Sequence, residues 1–207
     1  MQEYGQEYGD EGFIQILKER LETAWNRDIT QGAVRIQETE LEFDEYELID
    51  EQLCMWVPDE FELLEQELAE MKYPDENRPD RIYSSGDGTV NISFSIKDEN
   101  MQPQETEAVR DHAWRLLQER YPKSCFPDRQ TAEAENCQPA WFDCILPAQD
   151  MDIYNLMFFV SVNGKFLLGS FNCPAKDMDG WKDIFLQMLE TVRICDRNKE
   201  TESNTAL

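Results

Sequence analysis

The sequence contains a single histidine, His112, and no pair of cysteines at a spacing typical of zinc sites. Structural and catalytic zinc is held mainly by Cys and His, so this composition predicts no zinc centre. A Ser-His-Asp or Cys-His catalytic site would have to use His112, and neither a G-x-S-x-G turn nor a phosphate-binding P-loop is present. We therefore expect no catalytic residue, no metal and no cofactor, with His112 on a helix surface.

The chain has no apolar run long enough to span a bilayer, and its first residues lack the basic and apolar regions of a signal peptide. These features predict a cytoplasmic protein. The six cysteines are scattered, and Cys54, Cys144 and Cys195 lie in apolar segments. Because disulfides are rare in the cytosol, we expect all six to be reduced structural thiols.

Positive charge is scarce: 19 Lys and Arg stand against 44 Asp and Glu, for a net charge of −25. The imbalance is concentrated in residues 1–70, which carry 21 acidic and 4 basic side chains. Binding to nucleic acid or to an anionic membrane requires a basic surface, so the composition predicts neither.

Acidic and apolar side chains alternate through residues 35–57, which predicts a pair of strands with an acidic outer face. Two interpretations of this face remain open. It is either a solvated surface or a docking surface for another protein with a basic surface. The predicted acidic face consists of Glu38, Glu40, Glu42, Asp44, Glu45, Glu47, Asp50 and Glu51.

The hydrophobic pattern predicts one domain over residues 33–195, preceded by an arm and amphipathic helix in 1–32 and followed by a disordered polar tail in 196–207. Gly and Pro mark the ends of most elements. The predicted helices are 11–27, 58–71, 103–121 and 177–193, and the predicted strands are 35–43, 46–57, 80–84, 89–96, 130–136, 140–146, 153–162 and 165–171.

The last of these elements carry the strongest local signals. Asn163-Gly164 separates two apolar segments, which predicts an antiparallel hairpin with a two-residue turn. The helix that follows places Trp181, Phe185, Met188 and Leu189 at helical spacing, so these side chains should pack on the sheet.

The segment "GKFLLGSFNCPAKDMDGWKDIFLQMLETVRI" resembles the PsbP-like fold group, which also holds Mog-type and DcrB-like proteins. In that group a polar-Cys-Pro step ends the last strand and an aromatic residue lies on the last helix, as Asn172-Cys173-Pro174 and Trp181 do here. The resemblance covers residues 33–194. It implies an α+β sandwich, a central antiparallel sheet flanked by helices, and members that are mostly binding modules without a shared catalytic constellation.

Tyr73, Tyr154 and Asn155 are candidate binding residues because each lies at the predicted end of an element, where side chains often line a cleft. Aspartates Asp150 and Asp152 could join Asp177 in a cation site, although Asp177 is more simply explained as the acidic N-cap of the last helix.

We expect a non-enzymatic protein-binding module, an adaptor or chaperone, that uses the acidic face. The leading alternative is a small-molecule-binding or hydrolytic protein with a cleft between sheet and helix, and a third interpretation is a structural subunit of an assembly. A pocket with convergent polar groups and shifted pKa values would favour the alternative. An exposed apolar patch without such a pocket would favour a protein partner.

Overall fold

The structure is a computed structural model, and it describes residues 26–49, 52–75 and 78–195. Most of the predicted helix 11–27, the acidic residues Asp50 and Glu51, and the tail 196–207 lie outside the described residues. The predicted division into an arm, a domain and a tail therefore stays a prediction. No helix in the described ranges is long and apolar enough to cross a membrane.

Twelve strands and three α-helices make up the described fold. The strands are β1 (Val34–Ile36), β2 (Thr39–Leu41), β3 (Phe43–Ile49), β4 (Leu53–Pro58), β5 (Glu62–Leu63), β6 (Arg81–Ser84), β7 (Asn91–Asn100), β8 (Arg129–Thr131), β9 (Ala140–Pro147), β10 (Asp152–Val162), β11 (Lys165–Pro174) and β12 (Arg193–Ile194). The helices are α1 (Gln66–Lys72), α2 (Thr106–Arg120) and α3 (Met178–Glu190), and 3-10 turns at Pro103–Glu105 and Ala175–Asp177 lead into α2 and α3.

The strands form a large antiparallel sheet and two small ones. The large sheet has seven strands in the order β5-β6-β7-β11-β10-β9-β8. A three-stranded sheet has the order β12-β4-β3, and β1 pairs with β2 alone. The protein is therefore a mixed α and β fold built on antiparallel sheets.

The predicted hairpin at the centre of the large sheet is confirmed. β10 and β11 pair antiparallel from Val162↔Lys165 outward. Asn163 and Gly164 both have positive φ, at 50° and 79°, as a type I′ turn requires. Because the turn fixes the register, every later pair across this hairpin follows from it.

The two faces of the seven-stranded sheet are covered differently. One face carries the larger core, where Tyr154, Phe171 and other side chains pack against α3 and the three-stranded sheet. The opposite face packs Phe142 and Phe159 under α2. The predicted packing of α3 is confirmed, since Trp181, Phe185, Met188 and Leu189 are all buried.

Four predicted elements were wrong. Residues 46–57 are not one strand, because β3 ends at Ile49 and β4, which begins at Leu53, pairs antiparallel with it. The predicted strand 130–136 ends already at Thr131, as β8.

Residues 35–43 are not one strand, because Gln37 has φ of 54° and turns the chain back into the β1–β2 hairpin before β3 begins. The predicted helix 58–71 begins only at Gln66. The preceding residues pair with the sheet, where β5 joins β6 and the Leu64 N–H donates to the carbonyl of Ile82 at 2.8 Å.

Candidate functional site

The predicted acidic face lies on β2, β3 and the turn that precedes β2. Its described carboxylates all belong to exposed residues: Glu38, Glu40, Glu42, Asp44, Glu45 and Glu47. Thr39 and Glu40 on β2 are exposed, whereas Leu41 points into the core. The alternation therefore places the acidic groups in solvent, as predicted.

Strand β3 departs from simple alternation. Its four central residues, Asp44 to Glu47, are all exposed, while Phe43 at its start and Leu48 and Ile49 at its end are buried. A strand with one face on a core buries every second residue, so both faces of this stretch are open to solvent. Among the residues that the structure describes, β3 is also the edge strand of its sheet, next to β4 only, and its pairing is irregular between Glu47 and Ile49.

Three of the side chains on β3 have hydrogen-bond partners in the protein. Asp44 Oδ1 accepts from the Glu45 backbone N–H at 2.7 Å. Glu45 accepts two hydrogen bonds from Arg193 on β12, at 2.9 and 3.2 Å. The bonds to Glu45 raise the pKa of Arg193, and burial opposes them only in part. The Tyr46 hydroxyl donates to Asp59 at 3.3 Å, while the Tyr46 residue is 41% exposed. Arg193 therefore offsets the charge of Glu45 and, in part, that of Glu47, and a partner would meet Glu40, Glu42 and Asp44 first.

The prediction that Tyr154 lines an accessible surface was wrong. Tyr154 is fully buried on β10, its ring stacks on Phe185 of α3, and its hydroxyl donates to Asp143 Oδ2 at 3.1 Å. β10 begins at Asp152, so Tyr154 lies inside the strand on the core face. Burial, followed by the negative charge of Asp143, raises the pKa of Tyr154 well above its usual range.

Tyr73 and Asn155, in contrast, are brought together in one cavity of about 500 Å³. Tyr73 follows α1 and Asn155 lies near the start of β10. Both are half-buried, and Asn172 is hydrogen-bonded to the Tyr73 hydroxyl. Burial raises the pKa of Tyr73, and the bond with Asn172 opposes that shift in part. Two of the three predicted binding residues, Tyr73 and Asn155, therefore line a cleft between sheet and helix, and Tyr154 does not.

A buried charged group between β9 and α3 was not predicted from the sequence. Asp143 on β9 is fully buried, and its carboxylate accepts hydrogen bonds from the Asp128 backbone N–H at 2.7 Å, the Tyr154 hydroxyl and the Lys182 ammonium at 2.8 Å. Burial lowers the pKa of Lys182, but its bonds to Asp128 and Asp143 outweigh that effect and raise it. The signal was a lone Asp inside the apolar strand "AWFDCIL". The group ties α3 to the sheet and keeps Lys182 protonated.

The prediction that all six cysteines are free thiols was wrong for two of them. Cys54 on β4 and Cys195 after β12 form a disulfide, with Cα atoms 6.5 Å apart. With Glu47 they also form the one group of three close metal-ligating side chains found among the described residues. Disulfides are typical of oxidising compartments and rare in the cytosol. The cytoplasmic location therefore stays a prediction.

Three of the four free thiols, those of Cys137, Cys144 and Cys173, are buried or half-buried. Burial raises the pKa of the Cys137 thiol to about 11 and those of Cys144 and Cys173 to about 12, so all three stay protonated at neutral pH. His112 lies exposed on α2. Asp150, Asp152 and Asp177 do not gather into a cation site within the described residues, and Asp177 instead accepts a hydrogen bond from Gln37 at 2.9 Å.

Comparison with known proteins finds similar folds. The solution structure of cyanobacterial PsbP (CyanoP) from Synechocystis sp. PCC 6803 superposes on 73% of this chain and 92% of its own, at 10% identity and a TM-score of 0.53. LpqN, involved in cell envelope biogenesis of Mycobacterium tuberculosis, covers 78% of this chain and 95% of its own, at 11% identity and a TM-score of 0.46. No family profile and no curated protein matches the sequence.

The match to CyanoP shows a PsbP-like fold and nothing about activity, because the identity is only 10%. It supports the PsbP-like part of the resemblance. The Mog-type and DcrB-like parts stay predictions.

Proposed function

We propose that this protein is a non-enzymatic binding module of the PsbP-like sandwich type, and that it binds another protein at strand β3. The partner has a basic surface. The observation that carries the proposal is the run of four exposed residues, Asp44 to Glu47, on a strand that lies at the edge of its sheet among the described residues. Charge complementarity selects the partner, since Glu38, Glu40 and Glu42 extend the same acidic surface.

The mode of binding follows from the free edge. An edge strand presents unpaired N–H and C=O groups to which an extended segment can add as a further strand. Acidic side chains on such an edge repel acidic strands and favour basic ones, so they protect the edge from self-association and select a partner. Exposed Tyr46 supplies the apolar contact, because Tyr is enriched at protein interfaces.

The proposal that the protein is not an enzyme is supported by the pKa shifts of its buried thiols and of Tyr154. Nucleophilic catalysis needs a thiol of lowered pKa or an activated hydroxyl, and burial shifts the pKa of Cys144, Cys173 and Tyr154 in the opposite direction. The Lys182 ammonium has its pKa raised by carboxylates rather than lowered toward neutrality. These groups therefore support a structural role.

A titration with two matched peptides tests the proposal. A short peptide of alternating Lys and Val should shift the backbone amide resonances of residues 43–47, and the same peptide with Glu in place of Lys should not. Shifts confined to other surfaces, or equal shifts with both peptides, would contradict it. Changing Tyr46 to Ala should weaken the binding of the Lys-Val peptide, whereas changing exposed Leu116 on α2 to Ala should leave that binding unchanged.

A further inference from the structure

The cavity beside Tyr73 is a second place where side chains converge, and it does not belong to the acidic face. It lies at one end of the large sheet, between the end of α1, the strand ends of β7, β10 and β11, and the loop that joins β9 to β10. Its volume of about 500 Å³ is in the range of small-molecule sites.

The floor of the cavity is a row of three amides from adjacent strands. Asn172 on β11 is in register with Asn91 on β7 and with Asn155 on β10. The Asn91 amide donates to Asn172 Oδ1 at 2.9 Å, and Asn91 is buried. Asn is depleted in strands because it packs poorly there, so three of them in one row across a central sheet call for a reason beyond propensity.

Lys72 lines the cavity, and its ammonium is hydrogen-bonded to uncharged groups of the protein. The Lys72 ammonium donates to the Gly88 carbonyl, to Asn91 Oδ1 at 2.6 Å and to Ser84 Oγ at 3.5 Å. These three acceptors occupy its three N–H groups, so Lys72 holds the turn at Gly88 in place and has no donor left for an anion. Asp150 is exposed at the mouth rather than on the floor.

Unused hydrogen-bonding capacity is instead found on uncharged groups. The Asn155 amide donates one bond, to the Ile153 carbonyl at 3.1 Å, and its Oδ1 accepts none from the described residues. The Tyr73 hydroxyl interacts with Asn172 and retains its own proton to donate. Leu146, Pro147 and Pro174 make the walls apolar.

We propose that this cavity binds an uncharged small molecule that has an apolar body and a carboxamide group. The body would lie against the walls formed by Leu146 and Pro174, and the carboxamide would pair with the Asn155 amide, which offers one acceptor and one further N–H donor. A charged head group would lose its hydration without gaining a hydrogen-bonded partner of opposite charge, because the donors of Lys72 are in use and Asp150 is exposed, and the cavity would therefore bind it more weakly. The inference does not depend on the function proposed for β3.

Three probes that differ only in the head group test the inference on the whole protein. Benzamide is neutral, benzoate is an anion and benzylammonium is a cation, and all three have the same ring. At millimolar concentration benzamide should shift the side-chain NH2 resonances of Asn155 and Asn172, and it should bind about tenfold tighter than either charged probe.

Variants of the floor give a second readout. Asn155→Ala should weaken the binding of benzamide, whereas Gln104→Ala, which removes an exposed amide outside the cavity, should not. Asn155→Asp keeps the shape of the side chain and adds a negative charge, so it should reverse the preference from benzamide to benzylammonium. An unchanged circular-dichroism spectrum and melt identify the variants that fold.

Three outcomes would overturn the inference. Unshifted Asn resonances with all three probes would show that the amide row is a structural ladder. Preference for benzoate would show that Lys72 is available to an anion. Equal binding of the three probes would show a non-specific apolar cleft. Each of these outcomes leaves the peptide titration at β3 unaffected.

Discussion

Gly169 on β11 lies directly opposite Phe158 on β10, and the phenyl ring occupies the space in which a side chain at Gly169 would begin. The same ring stacks on Phe171 at 5.2 Å and meets Phe94 edge-on at 6.2 Å. Glycine is therefore required at this position by the aromatic core rather than by backbone conformation.

Gly169→Ala should destabilise the protein by about 1–3 kcal/mol, because the added methyl group overpacks the core. Chemical denaturation measures the change in free energy of unfolding. Phe158→Leu should relieve part of the clash, so the double variant should be more stable than the sum of the two single effects predicts. Strict additivity would contradict this account.

Trp181→Ala should cost about 3–5 kcal/mol, since the indole is buried and stacks on Phe185 at 5.4 Å. A thermal or denaturant melt measures it. The exposed neighbour Asp183 is the control, because Asp183→Ala on the solvent side of α3 should change stability by no more than about 0.5 kcal/mol. An unchanged melt for Trp181→Ala would contradict the packing of α3.

Reduction of the Cys54–Cys195 disulfide should destabilise the protein by about 2–4 kcal/mol, because it joins residues 141 apart and restricts the unfolded chain. Melts with and without reductant measure the loss. The Cys54→Ala, Cys195→Ala double variant should be indifferent to reductant, whereas Cys125→Ala, which removes an exposed free thiol, should respond like the parent. A parent melt unaffected by reductant would mean that the pair is not bonded in solution.

Stability should fall at alkaline pH. Burial raises the pKa of Cys144 and Cys173 from an ordinary value of 9.0 to about 12, so between these values the unfolded state has lost protons that the folded state keeps. The stabilisation is complete below pH 9 and is lost as pH rises toward 12. The free energy of unfolding measured against pH should decline less steeply in the Cys144→Ala, Cys173→Ala variant. An identical slope would contradict the burial of these thiols.

Short sequence motifs predicted the parts of the fold that depend on a single turn or on one face of a helix, namely the β10–β11 hairpin and the packing of α3. Asn163-Gly164 fixes the β10–β11 register, and through it the pairing of Asn155 with Asn172. The alternation of apolar and polar side chains continues across a tight turn, so it could not predict that the chain reverses direction at Gln37. Residues 58–65 combine helix-forming composition with pairing to β6, and the distant pairing prevails.

The candidate sites, too, could be predicted where they depend on local sequence and not where they depend on distant strand pairing. The exposure of Glu40, Glu42 and Asp44 follows from alternation and from their charge, and the structure confirms it. The place of Asn91 in the amide row depends on the β7–β11 pairing, which joins residues distant in sequence and has no local signal. Tyr154 was misplaced because its side chain is on the face of β10 that packs against α3, and position near the end of a strand does not predict which face a side chain is on.

The central claim is that the acidic surface around β3 receives a basic partner. Reversal of Glu40, Glu42 and Asp44 to Lys should abolish the attraction without unfolding the protein, because surface changes usually fall within about 0.5 kcal/mol. The matched control reverses three exposed carboxylates on β7 and α2, Asp98, Glu99 and Glu119, and thus makes the same change in net charge elsewhere.

The most direct measurement is the association rate of the Lys-Val peptide against salt concentration. We expect a steep decline with salt for the parent and the control, since added salt shortens a Debye length of about 8 Å at physiological ionic strength. The Glu40, Glu42, Asp44 variant should associate slowly at every salt concentration. A flat salt profile for the parent, together with an unaltered rate for that variant, would contradict the claim.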